Sequence, residues 1–205
     1  GAPGVLPAKV LVIGAGVVGQ NAALIAKGVG ADVTVADIDT DKLKKIEEFG
    51  FKTLYAHPLA ISEAAKSSDL VVGAVLVPGG SAPKVITKKM ISNMKSGAVI
   101  VDVAIDQGGC TETSRPTTHL NPIFKTEGVT QYCVTNMPAA YATTATEALS
   151  NATYSYIIKL ANGWREAVKR DPGLLFGLNT INGKMTNSAV AGALNLHYTS
   201  PEDAA

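Results

Sequence analysis

Three glycines and two carboxylates carry most of the chemistry legible in this chain of 205 residues. The glycines, Gly14, Gly16 and Gly19, follow the apolar run Lys9-Val10-Leu11-Val12-Ile13 and precede a helical pattern that opens at Val17. Glycines punctuate many loops for conformational reasons alone, so a lone GxGxxG says little. Here a strand precedes it, a helix follows, and Asp37 ends a second apolar run, Asp32 to Ala36, about 20 positions on, which together make a dinucleotide-binding fingerprint. Gly14 permits the tight turn out of the strand, Gly16 lets the backbone approach a pyrophosphate, and Gly19 lets helix pack on strand. The helix start supplies unpaired N–H groups and the positive end of the peptide dipoles, which suit a phosphate anion. Asp37 would accept hydrogen bonds from the adenosine ribose hydroxyls and repel a 2′-phosphate, so NAD is expected rather than NADP. Lys42, on the loop that follows, could reach the same ribose and softens that exclusion. The alternative is a βαβ unit whose glycine turn binds nothing. The second carboxylate, Asp106, sits in Ile105-Asp106-Gln107-Gly108-Gly109; taken alone, it reads as a loop residue capping that turn.

The elements that position these residues follow from composition and pattern. With 46% hydrophobic residues and few aromatics, the chain has the usage of a parallel sheet buried on both faces. A formal net charge of +1 gives no reason to expect nucleic acid or an anionic surface as partner. Apolar stretches such as Leu70 to Pro78 fall far short of the roughly 20 residues that cross a bilayer. No signal peptide opens the chain, and Cys110 and Cys133 follow no metal spacing, so free thiols in a reducing cytoplasm and no metal site are expected.

Along the chain, a helix over Thr40 to Phe49 is expected to be capped by Asp39 or Thr40. A strand over Phe51 to Tyr55, a helix over Pro58 to Ser67 and a buried strand over Asp69 to Ala74 follow. The loop Val75 to Gly80 then falls at a strand's C-terminal end, where open α/β sheets bind ligands. Thr87 to Met94 reads as helix, Ala98 to Val103 as strand, and Val129 to Val134 as the last strand. Beyond that the alternation stops. Thr143 to Leu160 suits one long helix with Ala148, Tyr156, Ile157 and Leu160 among its buried residues. Trp164 to Lys169 reads as a short helix, Asp171-Pro172-Gly173 as a turn and Gly177 to Gly183 as loop. A last helix capped by Thr186 or Asn187 runs to Leu194, and Ser200 to Ala205 reads as frayed. The expected architecture is α/β: a Rossmann-type doubly wound parallel sheet over residues 1–140 with a C-terminal helical extension over 141–205.

Several strings resemble one family across nearly the whole chain. Gly73-Ala-Val-Leu-Val-Pro78, Val101-Asp-Val-Ala-Ile-Asp-Gln-Gly-Gly-Cys110, Glu112-Thr-Ser-Arg-Pro-Thr-Thr118 and Tyr132-Cys-Val-Thr-Asn-Met-Pro138 look like alanine dehydrogenase, in the family shared with the NAD-binding subunit of proton-translocating transhydrogenase. The resemblance implies oxidative deamination of L-alanine with NAD and water to pyruvate and ammonium, and the reverse. In that family the Rossmann domain lies between an N-terminal substrate domain and a returning C-terminal segment; this chain resembles the Rossmann domain and the returning segment only. It is therefore expected to be inactive without the substrate domain, and to be part of a cytoplasmic homo-oligomer, a hexamer in the family, with no membrane or nucleic-acid partner. The chain also starts at Gly1, almost directly on the first Rossmann strand, as though something upstream had been removed.

By position in its motif, Asp106 matches the family's active-site aspartate, which assists proton transfer as water adds to the imine. The resemblance also places Val17 and Val18 over the pyrophosphate, and Asp37 and Lys42 at the adenosine ribose. Val75 and Leu76 fall along the strand edge, Val103, Ala104, Ile105 and Asp106 by the nicotinamide ribose, and Val134, Thr135, Asn136 and Met137 near the nicotinamide. Arg115 matches a family arginine that reaches the cofactor; without the resemblance it reads equally as a surface ion-pair residue. His57, His119 and His197 match no catalytic histidine. Two departures stand out: Tyr141-Ala142-Thr143-Thr144-Ala145-Thr146 replaces a Val-Pro-basic-Thr-Ser-Thr string, and Ser81 replaces a common lysine. Loss of two cations could weaken cofactor binding or domain closure. A non-catalytic NAD-binding module and a transhydrogenase NAD-binding subunit are the competing readings.

Overall fold

The computed structural model describes residues 2–77 and 79–204. Pro78, in the loop expected after the fourth strand, lies outside them, as do Gly1 and Ala205. The chain divides into two compact units, one of Gly1–Val77 with Ser81–Met137 and one of Pro78–Gly80 with Pro138–Ala205.

The first unit alternates strand and helix: β1 (Lys9–Ile13), α1 (Val17–Gly28), β2 (Asp32–Asp37), α2 (Thr40–Glu48), β3 (Lys52–Tyr55), α3 (Pro58–Ser67), β4 (Leu70–Gly73), α4 (Lys88–Ser92) and β5 (Val99–Asp102). A 3-10 turn, Val103–Gln107, follows β5, and the strands β6 (Ile123–Thr126) and β7 (Val129–Tyr132) complete the sheet. Among the described residues the strand order is β3-β2-β1-β4-β5-β7-β6. Every pairing is parallel except that of β6 with β7. This is the doubly wound Rossmann-like arrangement, with one antiparallel edge that the pattern of apolar runs did not predict.

Burial explains why β1 reads as an unbroken apolar run. Val10 and Val12 point to one face, with Val33, Val35, Ala23 and Ile46. Leu11 and Ile13 point to the other, with Ile61, Ala65, Ile91 and Ile100. Side chains alternate along a strand, so a central strand with helices on both faces must be apolar at every position. Each fully buried Val, Leu or Ile contributes about 1.5–3 kcal/mol. The helices begin where polar side chains can take up orphan N–H groups. Asp39 accepts from the Asp41 and Lys42 amides at the start of α2, and Thr87 accepts from the Met90 amide at the start of α4.

The second unit contains α5 (Ala142–Ala161), α6 (Trp164–Arg170), α7 (Pro172–Phe176), the hairpin β8 (Thr180–Ile181) with β9 (Lys184–Met185), α8 (Ser188–Leu194) and α9 (Pro201–Ala204). Its long helix differs from expectation. Ala148, Tyr156, Ile157 and Leu160 are all exposed, and α5 has no buried residue. Apolar periodicity marks a face that is suited to cover; it does not supply the cover. Asp171-Pro172-Gly173, read as a turn, instead starts α7, because Asp171 accepts the Gly173 and Leu174 amides and Pro172 sits in the first helical turn. Part of the loop expected over Gly177 to Gly183 is strand β8, and Pro201 to Ala204, expected to fray, is the short helix α9. Asn187, of the two caps expected, starts α8 by accepting from Ala189 and Val190.

Candidate functional site

From β1 the sheet extends one way through β2 and β3 and the other way through β4 and β5, so the strand order switches direction between β1 and β4. Crevices form beyond the strand C-termini at such a point. A cleft of about 340 Å³ lies there. The start of α1 supplies Gly16, Val17 and Val18, the segment after β4 supplies Ala74, Val75 and Leu76, and the 3-10 turn after β5 supplies Val103, Ala104, Asp106 and Gln107.

The three glycines have different reasons to be glycine. A Cβ on Gly14, which also has φ +107°, would run into the Ala74 carbonyl, and one on Gly19 would run into the Gly14 carbonyl. Packing within the chain therefore accounts for both. Gly16 has φ −75°, a value any residue adopts, and a Cβ there would meet nothing within 4 Å. Among the described residues no contact demands a glycine at Gly16. The bare backbone at the start of a 12-residue helix instead leaves space in the cleft for an anion to reach the helix N–H groups.

Asp37 ends β2 and is half-buried. Its Oδ2 accepts the Ala15 amide at 2.6 Å and its Oδ1 accepts the Asp39 amide at 2.9 Å. Each carboxylate oxygen keeps further acceptor capacity. Lys42, in the first turn of α2, lies 3.6 Å from Asp39, so its ammonium is drawn to that carboxylate. Glycine cradle, helix start and acidic strand end together have the donor and acceptor set that NAD requires.

Asp106 is exposed on the 3-10 turn, and its Oδ1 accepts the Asn136 amide at 3.4 Å. That contact joins two of the expected cofactor segments. Asn136 itself has φ +50°, in the left-handed region that asparagine tolerates better than most residues. The structure does not bring every expected residue into the cleft lining. Ile105 and Val134 are buried in the core, at 4% and 0% exposure. Thr135 is exposed and Met137 half-buried, both outside the lining, and Arg115 lies with its guanidinium 4.3 Å from the centroid of the Phe124 ring. Asp37 and Lys42 also lie outside the cleft lining proper.

Sequence reasoning missed Asp102. It ends β5, is fully buried, and accepts hydrogen bonds from the Ala104 amide at 3.1 Å, the Cys110 amide at 2.8 Å and the Ser114 hydroxyl. Ser114 also bonds Thr111 at 2.7 Å, and buried Gln131 donates to Thr113 at 2.7 Å. A buried carboxylate is tolerable only when its lone pairs are this fully used. Asp102 thus shapes the turn that carries Asp106. Burial, followed by the charge of Asp102, pushes the Cys110 thiol well above the ordinary range and raises that of Cys133. Gln107 was also missed as a site residue; its position beside Asp106 in a glycine-ended turn was the available signal.

Comparison with known proteins agrees with this geometry. The model of the family "Alanine dehydrogenase/PNT, C-terminal domain" matches residues 1–188. The chain is 52% identical over 202 residues to the alanine dehydrogenase of Halomonas elongata, covering 97% of this chain and 54% of that protein. It is 50% identical over 205 residues to the alanine dehydrogenase of Mycobacterium tuberculosis, covering 98% and 55%. A solved L-alanine dehydrogenase superposes with TM-score 0.84 at 43% identity, over 95% of this chain and 55% of that one. A transhydrogenase from Sinorhizobium meliloti superposes with TM-score 0.69 at 28% identity, over 75% and 44%. The chain spans about half the length of the curated relatives it matches. Among the described residues no helix is long and apolar enough to cross a membrane.

Sheet order, glycine cradle and cleft define a Rossmann-type α/β domain. More narrowly, the chain belongs to the alanine dehydrogenase/PNT C-terminal domain family.

Proposed function

We propose that this chain is the NAD-binding part of an alanine dehydrogenase and supplies Asp106 to its active site. The observation that carries this reading is the cleft itself, where the unhindered Gly16 backbone at the start of α1 and the Asp106 carboxylate line one space. Bound NAD would supply the acceptor for a hydride leaving the Cα of L-alanine.

The chain's own groups do the rest. The N–H groups at the start of α1 hold the pyrophosphate, with Val17 and Val18, 79% and 49% exposed, covering it. The acceptor capacity left on Asp37 takes the adenosine ribose hydroxyls, and its charge disfavours a 2′-phosphate. Lys42 sits beyond Asp37 and, held toward Asp39, tempers that charge little. Val75, Leu76, Val103 and Ala104 give the cleft apolar walls that exclude water from the nicotinamide end. Ile105, Val134, Thr135 and Met137 contribute through backbone and packing around it, and Asn136 orients the Asp106 carboxylate by its amide. Asp106, exposed at the crest of its turn, takes a proton from the water that adds to the imine of alanine and returns it in the reverse direction. Arg115 reaches cofactor only by leaving the Phe124 ring, a cation–π contact worth about 0.5–1 kcal/mol at an exposed site.

The groups that hold the amino acid and its carboxylate belong, on this reading, to the part of the relatives that this chain does not span. The same reading includes a homo-hexamer in the cytoplasm. The transhydrogenase likeness supports a second reading, an NAD-binding subunit of that enzyme, at lower identity and coverage. Spectrophotometry of NADH formation from L-alanine separates the readings. The full-length protein should turn over and the isolated chain should not; turnover by the isolated chain, or none by the full-length protein, contradicts the proposal.

A further inference from the structure

The segment 82–86 runs along the turn that carries Asp106. The Ala82 amide donates to the Gln107 carbonyl at 2.9 Å, and the Val85 and Ile86 amides donate to the Cys110 carbonyl at 2.8 and 3.2 Å. Ile86 continues into a parallel bridge with Thr111. Between these backbone ties, Lys84 Nζ donates to the Gly108 carbonyl at 2.5 Å and to the Gly109 carbonyl at 2.8 Å. Gly108 and Gly109 have φ of +89° and +76°, and a Cβ on Gly109 would come within 2.7 Å of Asp102 Oδ2. Two left-handed glycines in succession leave two adjacent carbonyls without strand or helix partners, and the ammonium satisfies both.

We infer that Lys84 is a positioning residue for Asp106: its ammonium pins the Gly108–Gly109 turn from one side while Asp102 pins the Ala104 and Cys110 amides from the other. The inference rests on the catalytic role proposed for Asp106 above. It follows that the segment 81–86, which packs with Val75 around Ala82, Ala104 and Cys110, and the acid-bearing turn move as one piece. A nucleotide that orders the wall orders Asp106 with it. Lys84 is itself exposed and, among the described residues, pairs with no carboxylate in an ion bridge, so its amine serves the two carbonyls.

The test is amide hydrogen exchange on the ligand-free chain, with calorimetry of NAD and of ADP-ribose, for wild type, Lys84→Met and Lys84→Arg. In Lys84→Met, exchange at the Gly108, Gly109 and Cys110 amides should quicken about tenfold or more while the Leu11 and Val12 amides of β1 stay unchanged. NAD should bind about threefold to tenfold more weakly and ADP-ribose equally well, because only the nicotinamide end meets the turn. Lys84→Arg, whose forked guanidinium can also serve two carbonyls, should restore both readouts. Unchanged exchange at the turn in Lys84→Met would overturn the inference. So would quickening that extends equally through β1, or equal loss of NAD and ADP-ribose. If Lys84→Met does not fold, Lys84→Gln is judged by the same criteria. Failure of every chain to bind either nucleotide would sink the proposed function, while the exchange arm still decides whether Lys84 holds the turn.

Discussion

The Asp37 carboxylate accepts the Ala15 amide at 2.6 Å, so the acidic residue that ends β2 is bonded directly into the glycine turn that begins α1. On the proposed reading Asp37 therefore serves the protein as well as a ribose. Replacing it with Ala should cost about 1–3 kcal/mol of stability by orphaning the Ala15 and Asp39 amides, besides weakening nucleotide binding. Asp37→Asn should keep most of the stability, since an amide oxygen still accepts, and should narrow the preference for NAD over NADP. Thermal melts with parallel titrations of both nucleotides separate the two effects.

Gly14 and Gly16 should respond in opposite ways. Gly14→Ala places a side chain at φ +107° against the Ala74 carbonyl and should destabilise the fold by about 1–3 kcal/mol. The Cβ of Gly16→Val meets no described atom within 4 Å and φ −75° suits any residue, so stability should move by no more than about 1 kcal/mol. Its side chain nonetheless fills the approach to the helix start, so nucleotide binding should vanish. Denaturant unfolding and calorimetry on each variant check the pair.

Asp106→Asn should leave NAD affinity within a fewfold of wild type, because the side chain still accepts the Asn136 amide. Turnover in the full-length enzyme should fall by about 10²–10⁴, the usual contribution of a positioned acid or base. Steady-state kinetics against a binding titration distinguish this outcome from loss of cofactor binding.

The second unit carries a pH-sensitive tie between α5 and the start of α7. Lys159 bonds Asp171 at 2.8 Å and holds its carboxyl below the ordinary 3.8, while Asp171 also accepts the Gly173 and Leu174 amides. A lowered carboxyl stabilises the fold above its unfolded value, and that contribution is lost as the pH falls through the lowered one. Lys159 is raised from 10.5 by the same pair, so its share is present below that value and lost as the pH rises through the raised one. Exchange at the Gly173 and Leu174 amides should therefore gain relative protection between these limits and lose it at acid pH. Added salt should weaken the ion-pair part, because the Lys159 ammonium is exposed and Asp171 is only half-buried.

How far the sequence reaches is clear from particular elements. β1, α1 and β2 were legible because an unbroken apolar run, a glycine turn and a second run ending in an acid leave few other arrangements. β6 was not. Ile123-Phe124-Lys125-Thr126 is short, lies behind Asn121-Pro122, and buries no residue fully, so its pattern is that of a loop. Asp102 was invisible for another reason. Within an apolar strand a carboxylate gives no sign that amides of Ala104 and Cys110 and the Ser114 hydroxyl will converge on it, since two of the three come from beyond the turn. The apolar periodicity of α5 was legible, but which surface covers Tyr156 and Ile157 is not a property of that helix.

The account stands most directly on calorimetric titration of NAD into this chain, run beside the Gly16→Val variant and with NADP as competitor. It predicts saturable NAD binding at one site per chain, weaker binding of NADP, and none in a folded Gly16→Val protein. Absence of NAD binding by the folded wild-type chain, or binding that Gly16→Val leaves unchanged, would contradict it.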